Sequence, residues 1–298
     1  MKYIRFSLFF LMGVFCMFLS HSCNTCSRTQ TIENIIIDLD MADLTMESIY
    51  LNMGHKVLYA LPVPIEASML VKNWGIPYPE LLNDPANASN YLTKKKQAVN
   101  LGIYITDMTT AGIYEQTQTV LSYRQAVLHL IEGLGLQSAI DSKVVQQLEE
   151  NINNKSELLQ LISTIYVSCT EFLSEDDRDF YALAMMSGGW VEGMYIATSM
   201  IDENEVANEE KMKQLITDNK LTFDLLWQAL SELDVIPEEA LYLMLDMSYI
   251  AHLFGHQTLI SASAPPRDSN SNVDNVTPKY FAELKSYIHQ LRQQFVKK

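Results

Sequence analysis

Two acids stand where acids are costly. Asp107 closes the run Asn100-Leu101-Gly102-Ile103-Tyr104-Ile105-Thr106-Asp107, and Glu192 lies within Ser187-Gly188-Gly189-Trp190-Val191-Glu192-Gly193-Met194-Tyr195. Both have apolar neighbours, so burial is expected, and a buried carboxyl must pair, bind a cation or keep its proton. Together they would form a carboxylate pair able to do acid–base work or to hold the cationic group of a ligand. The competing expectation is a hydrogen-bonded network that locks helices together, with Arg124 and nearby Tyr, Asn and Gln side chains as partners. Structural networks perturb acids as readily as active sites do, and the balance here favours the network. Tyr104, Tyr114, Arg124, Gly189, Trp190 and Gly193 complete the set of candidate binding residues around Asp107 and Glu192.

The glycines ask for a reason of their own. A glycine inside a helix costs about 1 kcal/mol relative to alanine, and Gly188, Gly189 and Gly193 fall within six residues. Gly189 and Gly193 are one turn apart, so the spacing predicts close approach of a helix or ligand on that face.

His252 and His256, four apart in an apolar stretch, could share a helix face and bind a metal. The segment reads His-Leu-Phe-Gly-His, however, without the glutamate of the metalloprotease helix, and Asp246 falls off that face. No third ligand accompanies the pair, so no metal or other cofactor is expected. No nucleophile elbow, phosphate loop or dinucleotide fingerprint occurs either.

What must position these residues is helical. No run alternates apolar and polar residues over strand length, whereas helical spacing recurs throughout. Ile32, Ile35, Ile36, Leu39, Met46, Ile49, Met53 and Val57 form one stripe, which Pro62 and Pro64 stop. A short helix is predicted over 64–73, then a proline-rich connector over 76–88. Residues 90–134 read as one long helix or two in tandem, ending at Gly133 and Gly135. Further helices fit 138–151, 155–173, 175–201, 205–219, 222–233, 237–260 and 278–297. Ser174 ahead of Glu175, Asp176 and Asp177 reads as an N-cap, and Thr277-Pro278 as another. The last helix carries the stripe Phe281, Leu284, Ile288, Leu291 and Phe295. The class expected is all-α, an antiparallel multi-helix bundle or solenoid-like array of about ten helices.

The first residues carry an address. Lys2 and Arg5 precede the apolar stretch Phe6 to Leu19, whose 14 residues fall short of the roughly 20 that span a bilayer. Leu19-Ser20-His21-Ser22-Cys23 then resembles a bacterial lipoprotein cleavage box, with Cys23 as the lipidation site. Residues 1–22 are therefore expected to be a lipoprotein signal peptide, 23–31 a lipid-anchored tether, and 32–298 a single helical domain with a polar loop at 261–277. Cys26 and Cys169 do not make a disulfide framework, and Cys169 is expected in the core.

Charge narrows the partners. Twenty-one Lys and Arg stand against 36 Asp and Glu, a net −15, and removal of Lys2 and Arg5 makes it −17. Nucleic acid is excluded by that balance, and so is binding to an anionic membrane through charge.

Tyr59-Ala60-Leu61-Pro62, the Asn100-to-Asp107 segment and Gly188-Gly189-Trp190-Val191-Glu192-Gly193 together resemble an uncharacterised family of all-helical Bacteroidota envelope lipoproteins. The resemblance spans most of the mature chain and implies an envelope lipoprotein, membrane-anchored on the periplasmic face or the cell surface. It brings no catalytic residues to carry over. Three functions remain: a non-catalytic helical module that binds a small ligand or an envelope protein; a hydrolase using the carboxylate pair or the His-x3-His site; and a structural subunit of an envelope complex.

Overall fold

The computed structural model describes residues 65–176, 178–233, 237–256, 258 and 276–298. The leader, tether, Cys23, the 31–59 stripe and nearly all of the 261–277 loop lie outside the described residues. All described residues belong to a unit beginning at His55. The protein is all-α. Among the described residues there are nine α-helices: α1 (Glu66–Asn73), α2 (Lys94–Ile113), α3 (Thr117–Leu134), α4 (Ser142–Glu150), α5 (Lys155–Glu175), α6 (Asp179–Ser199), α7 (Glu209–Ser231), α8 (Glu238–Leu253) and α9 (Pro278–Phe295). Short 3-10 turns occupy Pro85–Asn90, Gln137–Ala139 and Val206–Asn208.

The array is centred on α2 and α6, which pack on each other more extensively than any other pair. Each lacks a polar face: α2 is buried without interruption from Ala98 to Ile113, and α6 from Ala182 to Met194. A helix apolar all round belongs inside a protein. Helices α1, α3, α5 and α9 pack on α2, and α1, α5, α7 and α9 on α6.

Glycine lets the central pair meet backbone to backbone. A Cβ on Gly102 would lie 1.8 Å from the Met185 carbonyl oxygen, and one on Gly188 would lie 2.0 Å from the Val99 carbonyl oxygen. No side chain fits at either position. The tightest approach falls on Gly188 and Gly102, where Gly189 N would also lie 2.8 Å from a Gly102 Cβ, and the expected approach of a helix at Gly193 is a looser one. Gly193 serves α1 instead, where an added Cβ would sit 3.3 Å from the Ala67 Cβ.

Helix ends follow local chemistry. Thr93 caps α2 through Lys96 N–H, Asp141 caps α4 through Lys143 N–H, Asn154 caps α5 through Glu157 N–H, and Thr277 caps α9 through Tyr280 N–H. Gly135, at φ +73°, closes α3 in the left-handed conformation. The 90–134 region is two helices, broken at Tyr114–Gln116 where Glu115 takes φ +59°.

Several expected boundaries fail: the expected helix 237–260 stops at Leu253, and the expected helix 138–151 is the Gln137–Ala139 turn followed by α4 from Ser142. Ser174 is not an N-cap: α5 continues through it to Glu175 because Leu173 is a buried core contact, and the Ser174 hydroxyl donates to Asp179 Oδ1 at 2.7 Å. The expected helices 205–219 and 222–233 are one, α7. Asn219 is no breaker there, because its amide donates to the Leu215 carbonyl at 2.9 Å within the helix.

Candidate functional site

Past its third residue, α2 carries a single charge, Asp107; past its first, α6 carries a single charge, Glu192. The fold brings them together at 0 % exposure each, with the Glu192 carboxyl within hydrogen-bonding reach of Asp107. The cation beside them comes from α9. Arg292 makes a bidentate pair with Glu192, Nε to Oε2 at 2.9 Å and Nη2 to Oε1 at 3.0 Å. A fork-to-fork pair is the strongest geometry available to two such groups.

Asp107 is held differently. Its Oδ2 accepts the Asn83 backbone N–H at 3.1 Å, whereas its Oδ1 meets no N–H or O–H donor among the described residues. Burial first, and the Glu192 carboxylate second, push its pKa well above the ordinary carboxylate range, with Arg292 pulling the other way. Arg292 loses some basicity to burial but regains more from Glu192 and Asp107, so its pKa rises overall. Its guanidinium also stacks on Tyr195, 4.6 Å from the ring centre.

Phenols and amides surround the acids. Tyr104 donates to the Asp84 carbonyl at 2.8 Å, and Tyr91, Tyr104 and Tyr123 form a chain of tilted rings. Burial holds all three phenols above their usual pKa. The same neighbourhood grips the end of α9: Asn100 Nδ2 donates to the Phe295 carbonyl at 3.0 Å, Tyr91 to the Val296 carbonyl at 3.3 Å, and Lys96 to the Lys297 carbonyl at 3.1 Å. Those carbonyls are ones that helix geometry leaves without an intrahelical partner.

The other candidates lie elsewhere. Arg124 is not the acids' partner; it pairs with Glu149 of α4 at 2.6 Å, which uses up its charge on the outer side of α3. Tyr114 donates to the Ile76 carbonyl at 2.9 Å and receives the Lys72 ammonium on its ring. Trp190 packs on Phe223 and Phe254 and donates to the Asn219 carbonyl at 3.3 Å, so it faces α7 rather than a ligand. The Gly189 carbonyl accepts from Thr106 Oγ1 at 3.3 Å. His252 and His256 do not share a face, because α8 ends at Leu253 and His256 turns back to Asp224 at 2.7 Å. No group of three or more His, Cys, Asp or Glu able to hold a metal occurs among the described residues.

Arg292 is the member that sequence reasoning missed. Its signal was present: Leu284, Ile288 and Arg292 are spaced by four, so the arginine falls on the apolar face of α9.

Two features of the described surface bear on the remaining expectations. A groove of about 650 Å³ lies between the Pro85–Asn90 turn and α3, bordered by Asp84, Ser89, Gln118, Ser122, Gln125 and His129. On α8, Leu241, Tyr242 and Leu245 are 42, 53 and 39 % exposed. No described helix is long and apolar enough to cross a membrane. Compared with known proteins, the chain matches no family model, no curated sequence and no solved structure.

Proposed function

We propose that this chain is an exported, lipid-anchored, non-catalytic helical module of a bacterial envelope, akin to the Bacteroidota lipoproteins that its motifs resemble. It binds a small ligand or an envelope protein on its outer surface. One observation carries the non-catalytic reading. The acids that could do chemistry, Asp107 and Glu192, are fully buried between α2 and α6 and tied to Arg292 of α9. A charge cluster so placed joins helices; a substrate would need an opening onto it. Binding is then left to the surface, at the groove along α3 or the apolar face of α8.

A hydrolase is the second reading, and one observation favours it: the two acids do meet, and Asp107 Oδ1 lacks a donor among the described residues. An assembly subunit would use the α8 face.

The test begins with the full-length chain expressed in a Gram-negative host fed an alkynyl fatty acid. The expected result is a label at Cys23 that Cys23→Ala abolishes. An unlabelled, freely soluble chain overturns the anchor. Native mass spectrometry of the detergent-extracted protein addresses the rest. A small-molecule adduct lost in Gln118→Trp supports the groove, and an oligomer lost in Tyr242→Glu supports α8. Turnover of a hydrolase substrate that Asp107→Asn abolishes, with unchanged circular dichroism, replaces this reading with the second.

A further inference from the structure

The centre is short of one positive charge. It holds two carboxyls and one guanidinium, and the guanidinium is committed to Glu192 through both of its facing nitrogens. Asp107, buried as fully as Glu192, has one oxygen on a backbone N–H and the other turned to no donor among the described residues. An isolated carboxylate in that position would leave an uncompensated charge in the core, which proteins avoid by keeping the group neutral. A second carboxylate within hydrogen-bonding reach supplies an acceptor for the missing hydrogen.

We propose that the fold holds one bound proton at its centre, carried on Asp107 Oδ1 and donated to Glu192, and that this proton is needed to seat α9. With it in place the cluster is neutral: a carboxylic acid, a carboxylate and a guanidinium. Glu192 then accepts from α2 and α9 at once and so bridges them. Removing the proton sets two carboxylates against each other beneath the grip on α9 made by Asn100, Tyr91 and Lys96.

The groups that act on Asp107 come from several elements. Glu192 of α6 and Arg292 of α9 face it directly, and Asn83 gives its backbone N–H. The phenols of Tyr78, Tyr104 and Tyr123 stand nearby, and burial raises each, Tyr78 to about 12, so none supplies charge near neutral pH. Helix α1 meets α2 through Ser68 on Thr110, and α5 meets it through Leu158, Leu159 and Ile162 around Gly112.

The sign follows from linkage. An acid whose folded pKa lies above its unfolded value of about 3.9 stabilises the fold in full below that value. The contribution is lost as pH rises through the folded pKa.

Infrared spectroscopy of the full-length chain in detergent at pH 7 tests the proposal. The expected spectrum contains the carbonyl band of a protonated buried carboxyl, which moves when aspartate alone is carboxyl-labelled with carbon-13 and disappears in Asp107→Asn. The aspartate label needs no variant, so the test stands even if Asp107→Asn fails to fold. A band absent from the labelled region, or one insensitive to aspartate labelling, overturns it. Where Asp107→Asn folds, its urea midpoint should fall less than that of the parent chain between pH 5 and 8. Parallel pH profiles for the two chains would also overturn the assignment.

Discussion

The crossing of α2 and α6 and the outer face of α8 use residues against type in opposite ways. At the crossing, polar and charged groups are buried where leucine would be ordinary: Asn100, Thr106, Asp107, Ser187 and Glu192 all lie at 0 % exposure. On α8, leucine and tyrosine are exposed where lysine would be ordinary. The first exception is answered within the molecule, by Arg292, by the Asn83 N–H and by hydroxyls bonded one turn back, as Thr106 to Gly102 and Ser187 to Leu183. The second is answered by no described contact of its own except the Tyr242 hydroxyl on Glu238 and the Lys95 ammonium near its ring. An odd residue satisfied inside the fold speaks of architecture; one left facing solvent speaks of a partner.

Breaking the centre should cost most. Glu192→Gln leaves the Arg292 guanidinium buried without its counter-ion, and we expect a loss of about 3–5 kcal/mol in urea denaturation. A loss below about 1 kcal/mol would show that Arg292 escapes to water and that the centre is not a strut.

Next come the glycines of the crossing. Gly102→Ala and Gly188→Ala each drive a methyl into a main-chain carbonyl and should lose at least the ~1–3 kcal/mol typical of overpacking. Gly133→Ala is the control. Its methyl would meet only the end of the Gln97 side chain, at 2.7 Å, which can swing aside, and alanine favours the helix by up to about 1 kcal/mol. Equal losses at the three positions in the same denaturation series would remove the distinction between backbone and side-chain obstacles.

A smaller effect depends on pH. Burial, then the charge of Asp218, raises Glu66 of α1 from an ordinary 4.5 to about 7. Raised acids stabilise below the unfolded value, so this contribution is present at pH 4 and is lost as pH climbs to about 7. Glu66→Gln should flatten that part of the midpoint-against-pH curve while leaving the Asp107 contribution. An unaltered curve would place Glu66 in water.

The smallest change in stability is expected on α8. Tyr242→Ser with Leu245→Ser should stay within about 0.5 kcal/mol per site, the usual range for surface positions, while weakening any self-association seen by sedimentation. A large destabilisation would mean that α8 faces the protein's own core, and the contrast between the two regions would fall.

Much of the fold was legible in advance because helical periodicity is a local property. The nine described helices fall in predicted segments, and Thr277-Pro278 and Gly135 mark ends where capping chemistry says they should. Ser174 misled because a good N-cap residue can equally sit in the last turn of the preceding helix, beside a residue, Leu173, that is still buried in the core. The acids were legible as anomalies, and Cys169 as a core residue; burial pushes its thiol up to about 12, leaving it unreactive while folded. Their partner left only a local sign, its place on the apolar face of α9; Arg292 is 100 residues from Glu192, and Arg124 was the arginine expected beside the acids.

By itself, then, the sequence determined the all-α class, most helix limits, and the fact that Asp107 and Glu192 needed company. Those follow from periodicity, capping and the penalty of a bare buried charge, which act over a few residues. Only the tertiary structure decided which arginine answers the acids, which glycine admits the neighbouring backbone, and that the two histidines part. Each of those depends on which helix faces sit against one another, and that choice is made by packing the whole apolar surface at once.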